Sequence, residues 1–393
     1  MGYGFIRFWR CIARIVFPPK DSPIRWTRAR FMAVVVWLPL CLLLGLFHWL
    51  CLLLDEILFP GYRRVEVRQP VFIVGPPRGG TTFLHRVMAK DSGRFSCYTF
   101  GEMVFAPSIL QKKMLHLFAA MDRAMGKPVE NLMRRLEKPF FDPYAYMHKV
   151  SIFEPEEDFV MLGYIFANPL LLTIFPFPEL MGRYWAYDRE VPPAEVDRML
   201  LFYKRCLQRH LYVHGPDRQH LSKNPYFTSM MQGLDRTFPD AKFILNVRQP
   251  HENVPSFLSI WKALYHDLGN DPDHHLGQAF ILDWLRDTYL HGGEQAAALG
   301  PERAAVVRYD ALVADPKGTI VALYEQFGFE LSEQTMAVLE AEEARAQTYR
   351  SVHHYSVEEY GLTSEDIERH FDAVFERFDF PRHEGASAKE ATG

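Results

Sequence analysis

The stretch Phe31–Leu54 carries no formal charge, and 24 uncharged residues in a row fit into few kinds of protein structure. As an α-helix this stretch would be about 36 Å long, against about 30 Å for the hydrocarbon core of a bilayer. The hydrophobic core of a signal peptide is shorter and precedes a small-residue cleavage site, whereas Asp55 and Glu56 follow here. The sequence therefore predicts a membrane-embedded segment at 31–58, with a core helix or an interfacial helix as the alternatives. Pro39 predicts a kink in this segment or its division into a hairpin.

Positively charged residues lie on both sides of the segment. Residues 1–30 contain seven Lys/Arg and one Asp, and Arg63, Arg64 and Arg68 follow. A basic leader predicts a cytoplasmic N-terminus, which for a single span would put the rest of the chain on the opposite side. Only two of the five cysteines follow the segment, a usage that does not suggest a secreted, disulfide-bonded domain. Because both flanks are basic and the cysteine usage does not suggest secretion, we nevertheless expect a membrane protein whose main domain faces the cytoplasm. A Golgi-type lumenal orientation is the alternative.

The composition is that of an ordinary globular protein. Of the 393 residues 48% are hydrophobic and 23% charged, and 44 Lys+Arg against 48 Asp+Glu give a net charge of −4. These values do not fit a disordered chain, a collagen or a disulfide scaffold. A general nucleic-acid binder would usually be strongly basic, so we expect no nucleic-acid partner. The polar tail, residues 384–393, is predicted to be disordered.

Beyond the turn at Pro60-Gly61, short apolar runs alternate with longer stretches of helical spacing. The predicted strands are Val71–Val74, His220–Ser222, Phe243–Val247 and Ala305–Arg308. The predicted helices include Thr82–Ala89, Pro193–Gln208, Phe280–Leu290 and Thr319–Phe327. Strands separated by helices predict an α/β fold, with a central parallel sheet covered by helices on both faces. In such sheets ligands bind beyond the carboxyl ends of the strands.

The first predicted strand ends in Gly75-Pro76-Pro77-Arg78-Gly79-Gly80-Thr81-Thr82, directly before a predicted helix. Glycines allow a tight turn with backbone N–H groups directed inward, and the start of a helix adds partial positive charge. The loop is therefore predicted to bind an anionic group such as a phosphate. In nucleoside-triphosphate loops of the form G-x-x-x-x-G-K-[ST] a lysine follows the second glycine, but here that position is Thr81 and the cation is Arg78. The missing lysine argues against a kinase or an ATPase.

The segment Pro77–Thr82 resembles the Pro-Arg-Ser-Gly-Thr-Thr loop of sulfotransferases, with Gly79 in place of the usual Ser. In that family the loop holds the 5′-phosphosulfate of 3′-phosphoadenosine 5′-phosphosulfate (PAPS). A second block is similar to the family's 3′-phosphate motif, because Arg248 follows a predicted strand and Ser256 lies eight residues further on. An arginine presents a permanently charged fork to a phosphate, and a serine adds a short hydroxyl donor.

The resemblance covers roughly residues 65–380. Residues 308–316 are similar to the family's Arg-Tyr-Glu-x-Leu-x-x-Asp-Pro segment. Residues 354–362 look like the His-x-Tyr-Ser-x-Glu-x-x-Gly-Leu stretch of a broad, largely bacterial branch. The resemblance implies a P-loop-type three-layer α/β fold. It also implies that the residues binding PAPS are Arg78, Gly79, Gly80, Thr81, Thr82, Arg248, Ser256 and Tyr309.

Transfer of a sulfonate group needs positioning, neutralisation of the developing oxyanion charge, and a base for the proton of the acceptor. Arg78 and the helix amides can stabilise the leaving phosphate, and Lys223 resembles the Lys-x-Pro lysine that contacts the transferred sulfonate. No metal is expected, because the sequence contains no zinc or calcium motif.

The predicted general base is Glu102, in Phe100-Gly101-Glu102-Met103. It resembles the glutamate that acts as the base in protein-tyrosine and several bacterial sulfotransferases. The alternatives are Glu156 and Glu157, in the acidic run 154–158, and His148 before it, because cytosolic members of the family use a histidine.

The sequence therefore predicts a membrane-anchored, PAPS-dependent sulfotransferase with a hydroxyl or amine acceptor. Its predicted parts are a basic leader at 1–30, the membrane segment and a sulfotransferase domain at 65–380. A lipid or other amphiphile suits an enzyme beside a membrane, and the aromatic-rich stretch 164–187 fits either an acceptor pocket or the core. The alternative functions are a P-loop nucleotide kinase or phosphotransferase and a non-catalytic, membrane-anchored binding module.

Overall fold

The computed structural model describes residues 2–18, 24–142, 150–267, 277–346 and 357–382. His148, the tail 384–393 and the first part of the bacterial-branch segment lie outside these residues.

Five parallel strands form the central sheet, in the order β2-β3-β1-β4-β5. The strands are β1 Val71–Val74, β2 Phe95–Ser96, β3 Gln219–Lys223, β4 Lys242–Val247 and β5 Ala304–Arg308. The predicted α/β fold is confirmed, and each predicted strand lies within an observed one. The sequence pattern missed β2, because two residues are too few to show a period.

Alternate side chains of β1 enter two different hydrophobic clusters. Phe72 and Val74 belong to the larger cluster, where Phe72 stacks on Phe243 with ring centroids 5.5 Å apart. Val71 and Ile73 belong to the second cluster. All four residues of β1 are fully buried, so helices cover the sheet on both faces, as an all-parallel sheet requires. This arrangement is the predicted three-layer structure.

The helices before the third strand are α1 Gly2–Val16, α2 Arg28–Phe31, α3 Leu38–Leu58, α4 Thr81–Met88, α5 Phe100–Phe105, α6 Ile109–Ala124, α7 Pro128–Phe141, α8 Val160–Gly163, α9 Leu171–Ile174, α10 Pro178–Met181, α11 Tyr187–Glu190 and α12 Pro193–His214. After it come α13 Met231–Thr237, α14 Pro250–Asp267, α15 Gln278–Leu299, α16 Tyr309–Ala314, α17 Pro316–Phe327, α18 Glu333–Ala346, α19 Ser364–His370 and α20 Asp372–Phe378. Each helix predicted above overlaps one of these.

The aromatic-rich stretch 164–187 belongs to the core. Tyr184, Trp185 and Tyr187 are each at most 2% exposed, and Trp185 packs edge-on against Trp284 at a centroid distance of 4.5 Å. Of the two interpretations of this stretch, the structure therefore supports the core.

Residues Arg28–Leu58 form one continuous helix, which we call the long helix. By length and apolar composition it is a candidate for crossing a membrane. It is not divided into a hairpin at Pro39, because the π-helical turns Met32–Trp37 directly precede the proline and continue into α3. Proline has no N–H to donate within a helix, and a π-helical turn accommodates this missing hydrogen bond.

The long helix is attached to the domain through its few polar side chains. Asp55 is fully buried and accepts hydrogen bonds from the N–H groups of Ile109 and Leu110, at 2.8 and 3.0 Å. Its carboxylate also pairs with Arg209 of α12 at 3.1 Å. His48, about two turns earlier, is buried against α5 and α6. The polar groups of this apolar helix therefore face the domain.

Replacing Asp55 by Asn should lower the free energy of unfolding by about 1–3 kcal/mol, because the buried Arg209 guanidinium then keeps only Glu56 as a charged partner. The matched control is Asp197→Asn, whose pair with Arg236 is about half exposed and should matter little. Chemical denaturation in detergent measures both. Equal stability of the two variants would mean that the buried pair does not hold the long helix in place.

Candidate active site

The loop between β1 and α4 has a conformation that depends on residues with positive φ. Gly75 has φ +128°, Gly80 has φ +88°, and Arg78 itself adopts a left-handed φ of +66°. A Cβ atom on Gly75 would lie 2.1 Å from the carbonyl oxygen of Asn246, and one on Gly80 would lie 2.4 Å from the ring of Tyr309. The loop therefore lies closely against β4 and the end of β5, which only glycine permits at these two positions.

The glycine at position 79 also has a structural reason. A Cβ atom there would lie 2.9 Å from the carbonyl oxygen of Pro76 and 3.0 Å from that of Asn246, and both are backbone atoms. The serine usual in the resembling family would therefore force this loop to shift. The N–H of Gly79 donates to the carbonyl of Pro76 at 3.1 Å, which closes the turn.

Three buried polar residues hold the loop from outside. Asn246 donates to the carbonyl of Gly79 and Asn253 to that of Pro77, both at 2.7 Å, and the N–H of Gly75 donates to the hydroxyl of Thr228 at 2.7 Å. The sequence analysis missed all three. For Asn246 the available signal was its position as a polar residue inside an otherwise apolar strand. No comparable signal marks Thr228 or Asn253.

The predicted PAPS-binding residues are brought together at this loop. Nε of Arg78 donates to the hydroxyl of Ser256 at 3.0 Å. The guanidinium of Arg248 lies over the ring of Tyr309, 4.5 Å from its centroid, and that ring is the one beside Gly80. Arg248 also pairs with Glu252 at 2.7 Å. Two arginines that follow different strands are thus connected to the glycine turn, Arg78 as part of the loop and Arg248 through the ring of Tyr309.

Lys223, at the end of β3, is almost completely buried beside the start of α4. Its Nζ donates to the hydroxyl of Thr82 at 3.2 Å and forms ion pairs with Glu157 at 2.7 Å and Glu156 at 3.3 Å. The acidic run 154–158 therefore contributes two carboxylates to Lys223, which itself contacts the end of the loop. Glu157 is the more accessible of the two side chains.

Glu102 lies in a different cluster. It closes a capping box with Thr99 at the start of α5, and its carboxylate lies 2.6 Å from Nε2 of His214 and 3.9 Å from Nε2 of His116. Burial works to raise the pKa of Glu102, but the charge of Lys112 and the interactions with His214 outweigh it and hold the pKa well below its usual range. Among the described residues, the partners of Glu102 in these hydrogen bonds and ion pairs do not include a residue of the loop between β1 and α4.

Glu102, His210 and His214 each have a potential ligand atom within 4.8 Å of the others, which is close enough for one metal ion. These ligand atoms already have hydrogen-bond partners. Nε2 of His214 is hydrogen-bonded to the carboxylate of Glu102, and Nε2 of His210 lies 2.7 Å from the hydroxyl of Ser96. The charge of Lys112 beside Glu102 further disfavours a second cation.

Comparison with known proteins identifies this arrangement. Residues 70–333 match the Sulfotransferase family, and they include the loop, Lys223, Arg248 and Tyr309. The chain belongs to the sulfotransferase family. This sulfotransferase is 27% identical over 335 residues to the omega-hydroxy-beta-dihydromenaquinone-9 sulfotransferases Stf3 of Mycobacterium bovis and Mycobacterium tuberculosis, covering 82% of this chain and 79% of theirs.

Solved structures support the fold. The sulfotransferase STF9 from Mycobacterium avium superposes with a TM-score of 0.72 at 18% identity, over 95% of this chain and 92% of that one. STF1 from Mycobacterium tuberculosis H37Rv gives 0.65 at 18% identity, over 93% and 92%. The predictions of a sulfotransferase and of its three-layer fold are therefore confirmed, and the phosphotransferase and binding-module alternatives are not supported.

The depressed pKa of Glu102 links its charge to stability. Because the folded-state pKa lies below the ordinary value of 4.5, the stabilisation is present above that pH and is lost as the pH falls through the folded-state value. Glu102→Gln should lower the free energy of unfolding by about 1–3 kcal/mol at neutral pH. The difference from the native protein should shrink as the pH is lowered through the acid range. Chemical denaturation at a series of pH values measures it, with the exposed Glu66→Gln as the control. A difference that does not change with pH would contradict this account.

Proposed function

We propose that this sulfotransferase takes the sulfonate group from PAPS and transfers it to a hydroxyl group of a lipid-like acceptor at a membrane. Sulfotransferases generally use PAPS as their donor. The observation that carries the proposal is the convergence of Arg78, Ser256, Arg248 and Tyr309 on one glycine turn that leaves no room for a side chain.

The loop suits the 5′-phosphosulfate of the donor. The first amides of α4 have no partner within the helix, and they follow directly on Gly80. Thr81 and Thr82 begin this helix and add hydroxyl groups, while Arg78 supplies a permanent positive charge. Arg248, held over Tyr309, is the group we assign to the 3′-phosphate together with Ser256.

The reaction exchanges one sulfur–oxygen bond for another. The acceptor oxygen forms a bond to sulfur as the bond from sulfur to the 5′-phosphate breaks, and adenosine 3′,5′-bisphosphate leaves. Charge then accumulates on the leaving phosphate, beside Arg78 and the helix amides. Lys223, in contact with Thr82, is suited to the oxygens of the group in transfer. The acceptor's proton passes to a carboxylate.

The contacts favour Glu157 as this carboxylate over Glu102, the base predicted from the sequence. Glu157 pairs with Lys223, which in turn touches the loop, so it lies next to the reacting groups. Glu102 is held as an anion by Lys112 and His214, and a depressed pKa makes a carboxylate a poorer proton acceptor. Glu156 also contacts Lys223, but it is more deeply buried and accepts a hydrogen bond from the N–H of Glu157.

A lipid-like acceptor is supported by two observations. The Stf3 relatives are named for a hydroxylated dihydromenaquinone, and the long helix presents an apolar surface that weakly supports association with a membrane. A cavity of about 700 Å³ lies between α4 and α7, and its lining combines apolar side chains such as Phe83 and Phe141 with charged ones such as Arg86, Glu137 and Lys138, next to Pro155. Phe83 follows Thr82 and Pro155 precedes Glu156, so we assign this cavity to the acceptor.

We propose the same three parts of the chain that the sequence predicts. Residues 1–30 form a basic leader, 31–58 are in contact with the membrane, and 65–380 form the sulfotransferase domain. A cytoplasmic domain would have direct access to cytoplasmic PAPS.

Arg248→Ala should weaken the binding of adenosine 3′,5′-bisphosphate by about tenfold to 100-fold, because a charge-assisted hydrogen bond contributes about 1.5–3 kcal/mol. Titration calorimetry with EDTA present measures this, and binding by the native protein should not need magnesium. Arg236→Ala, which removes an exposed arginine elsewhere, is the control. Unchanged affinity of the Arg248 variant would refute the assignment of the 3′-phosphate.

Glu157→Gln should lower kcat by about 100-fold or more, while the affinity for adenosine 3′,5′-bisphosphate stays within about threefold. Glu102→Gln is the comparison variant and should retain at least about a tenth of the activity once its folding is verified. Transfer of labelled sulfate from PAPS to a hydroxylated quinone or a lipid extract provides the assay. If Glu102→Gln lowered kcat more than Glu157→Gln did, the base would be Glu102 and not Glu157.

A further inference from the structure

Helix α1 precedes the long helix in the chain, yet it packs against the sulfotransferase domain that follows the long helix. Phe8, Cys11 and Ile15 are at most 2% exposed and belong to the larger hydrophobic cluster of that domain. Arg7 pairs with Glu195 of α12 at 2.8 Å. Both ends of the long helix are therefore tied to the same folded body.

The long helix itself lies along this body for most of its length. At its N-terminal end Arg30 is buried, and in its middle Leu38 and Leu42 pack against the hydrophobic cluster. At its C-terminal end Asp55 is buried in its pair with Arg209. The opposite side of the helix is exposed and wholly apolar, with Leu43 and Leu53 each at least 60% exposed.

Helices α6 and α7 form a hairpin with a second exposed apolar surface. The hairpin is rigid, because Asp122 of α6 accepts hydrogen bonds from the N–H groups of Val129 and Glu130 at the start of α7. It is fixed to the long helix through the bonds that Asp55 accepts at the start of α6. Its exposed apolar side chains are spaced as stripes along the two helices and include Met114, Leu117, Phe118, Met121, Leu132 and Leu136.

These exposed side chains are too many and too large for a water-covered surface, and they adjoin the uncharged stretch of the long helix. The charge of the hairpin points to the partner. Apart from the buried Lys112 and Asp122, residues 109–142 contain six Lys/Arg against three Asp/Glu, an excess of three positive charges. A surface that is apolar and positively charged matches an anionic lipid leaflet, where apolar side chains enter the acyl region and basic ones meet the headgroups.

We propose that the protein binds one leaflet of a bilayer through a surface made by the long helix and the α6–α7 hairpin, and that the long helix lies in the plane of the membrane instead of crossing it. A crossing would put about 30 Å of hydrocarbon between α1 and the domain against which it packs. The interfacial helix, one alternative left open by the sequence, is the arrangement that keeps these contacts.

The proposal places the cavity beside the membrane surface. Arg134, Glu137 and Lys138 of α7 line the cavity, while Val129, Leu132 and Leu136 of the same helix form the exposed stripe. One helix would thus touch lipid with one side and border the proposed acceptor site with the other. This consequence for the acceptor rests on the proposed function, whereas the membrane geometry does not.

The test of an in-plane helix is the side of the membrane on which each end lies. The full-length protein with Cys41→Ser and Cys97→Ser, which removes the exposed and the half-buried cysteine and leaves three buried ones, is given one accessible reporter cysteine by Arg25→Cys, Arg64→Cys or Asp217→Cys. Each protein is reconstituted into sealed vesicles of phosphatidylcholine and phosphatidylglycerol and treated with an impermeant maleimide before and after lysis. We expect the same externally labelled fraction at all three sites in every preparation. A fraction at Arg25 that is complementary to the other two would show a crossing helix and overturn the proposal.

The test of the hairpin uses a polarity-sensitive fluorophore on Leu132→Cys, in the background that lacks Cys41 and Cys97, with Asn131→Cys on the other side of α7 from the apolar stripe as the matched control. With the same vesicles we expect a blue shift and quenching by brominated lipid at Leu132, and neither at Asn131. Equal exposure of the two labels to aqueous iodide would overturn the proposal. So would a signal at Leu132 that depends on protein concentration and not on lipid, since that would indicate a second copy of the chain. Neither test measures sulfonate transfer, so this proposal and the proposed function can fail separately.

Discussion

The close contact between the β1–α4 loop and β4 is the constraint on which the rest of the candidate active site depends. Gly75 approaches the backbone of Asn246 so closely that it cannot carry a side chain, a side chain at Gly79 would force the loop to shift, and the amide of Asn246 fixes the loop by a hydrogen bond. Because β1 and β4 are neighbours in the sheet, this contact brings the strand end that carries Arg248 beside the start of α4. The cation of the loop and the cation of the next strand then lie around one turn.

A second fixed point connects this site to the apolar surface. Asp55 joins three helices, because its carboxylate is shared by the N-terminus of α6 and by Arg209 of α12. The charge is buried, so its partners are held in one geometry and the helix bearing it cannot move independently. The position of the α6–α7 hairpin, and with it one wall of the cavity beside α4, therefore depends on the docking of the long helix.

Much of the site could be predicted from the sequence because local spacing encodes it. A strand, a glycine turn and a helix identify the loop, and the interval from Arg248 to Ser256 corresponds to a strand end and a following helix. Asn253 and Thr228 were missed because their role is to meet a loop more than 150 residues away. The pairing of Lys223 with Glu157 was not predicted either. Lys223 lies at the end of a strand and Glu157 lies in a loop, and these two segments meet only when the sheet is assembled. Glu102 was chosen by resemblance, which contains no information about its bonds to His214 and Thr99.

The sequence by itself determined the alternation of strands and helices, the glycine loop between the first strand and its helix, the sulfotransferase family and the uncharged length of residues 31–54. These are properties of neighbouring residues, and short-range geometry is sufficient to express them. Only the tertiary structure decided which carboxylates lie beside Lys223 and that both ends of the uncharged helix are attached to one folded body. Length and hydropathy are the same for a helix that crosses a bilayer and for one that lies in it. The in-plane placement that we propose depends on the packing of α1 and the domain from opposite ends of the long helix, a contact between residues far apart in the chain.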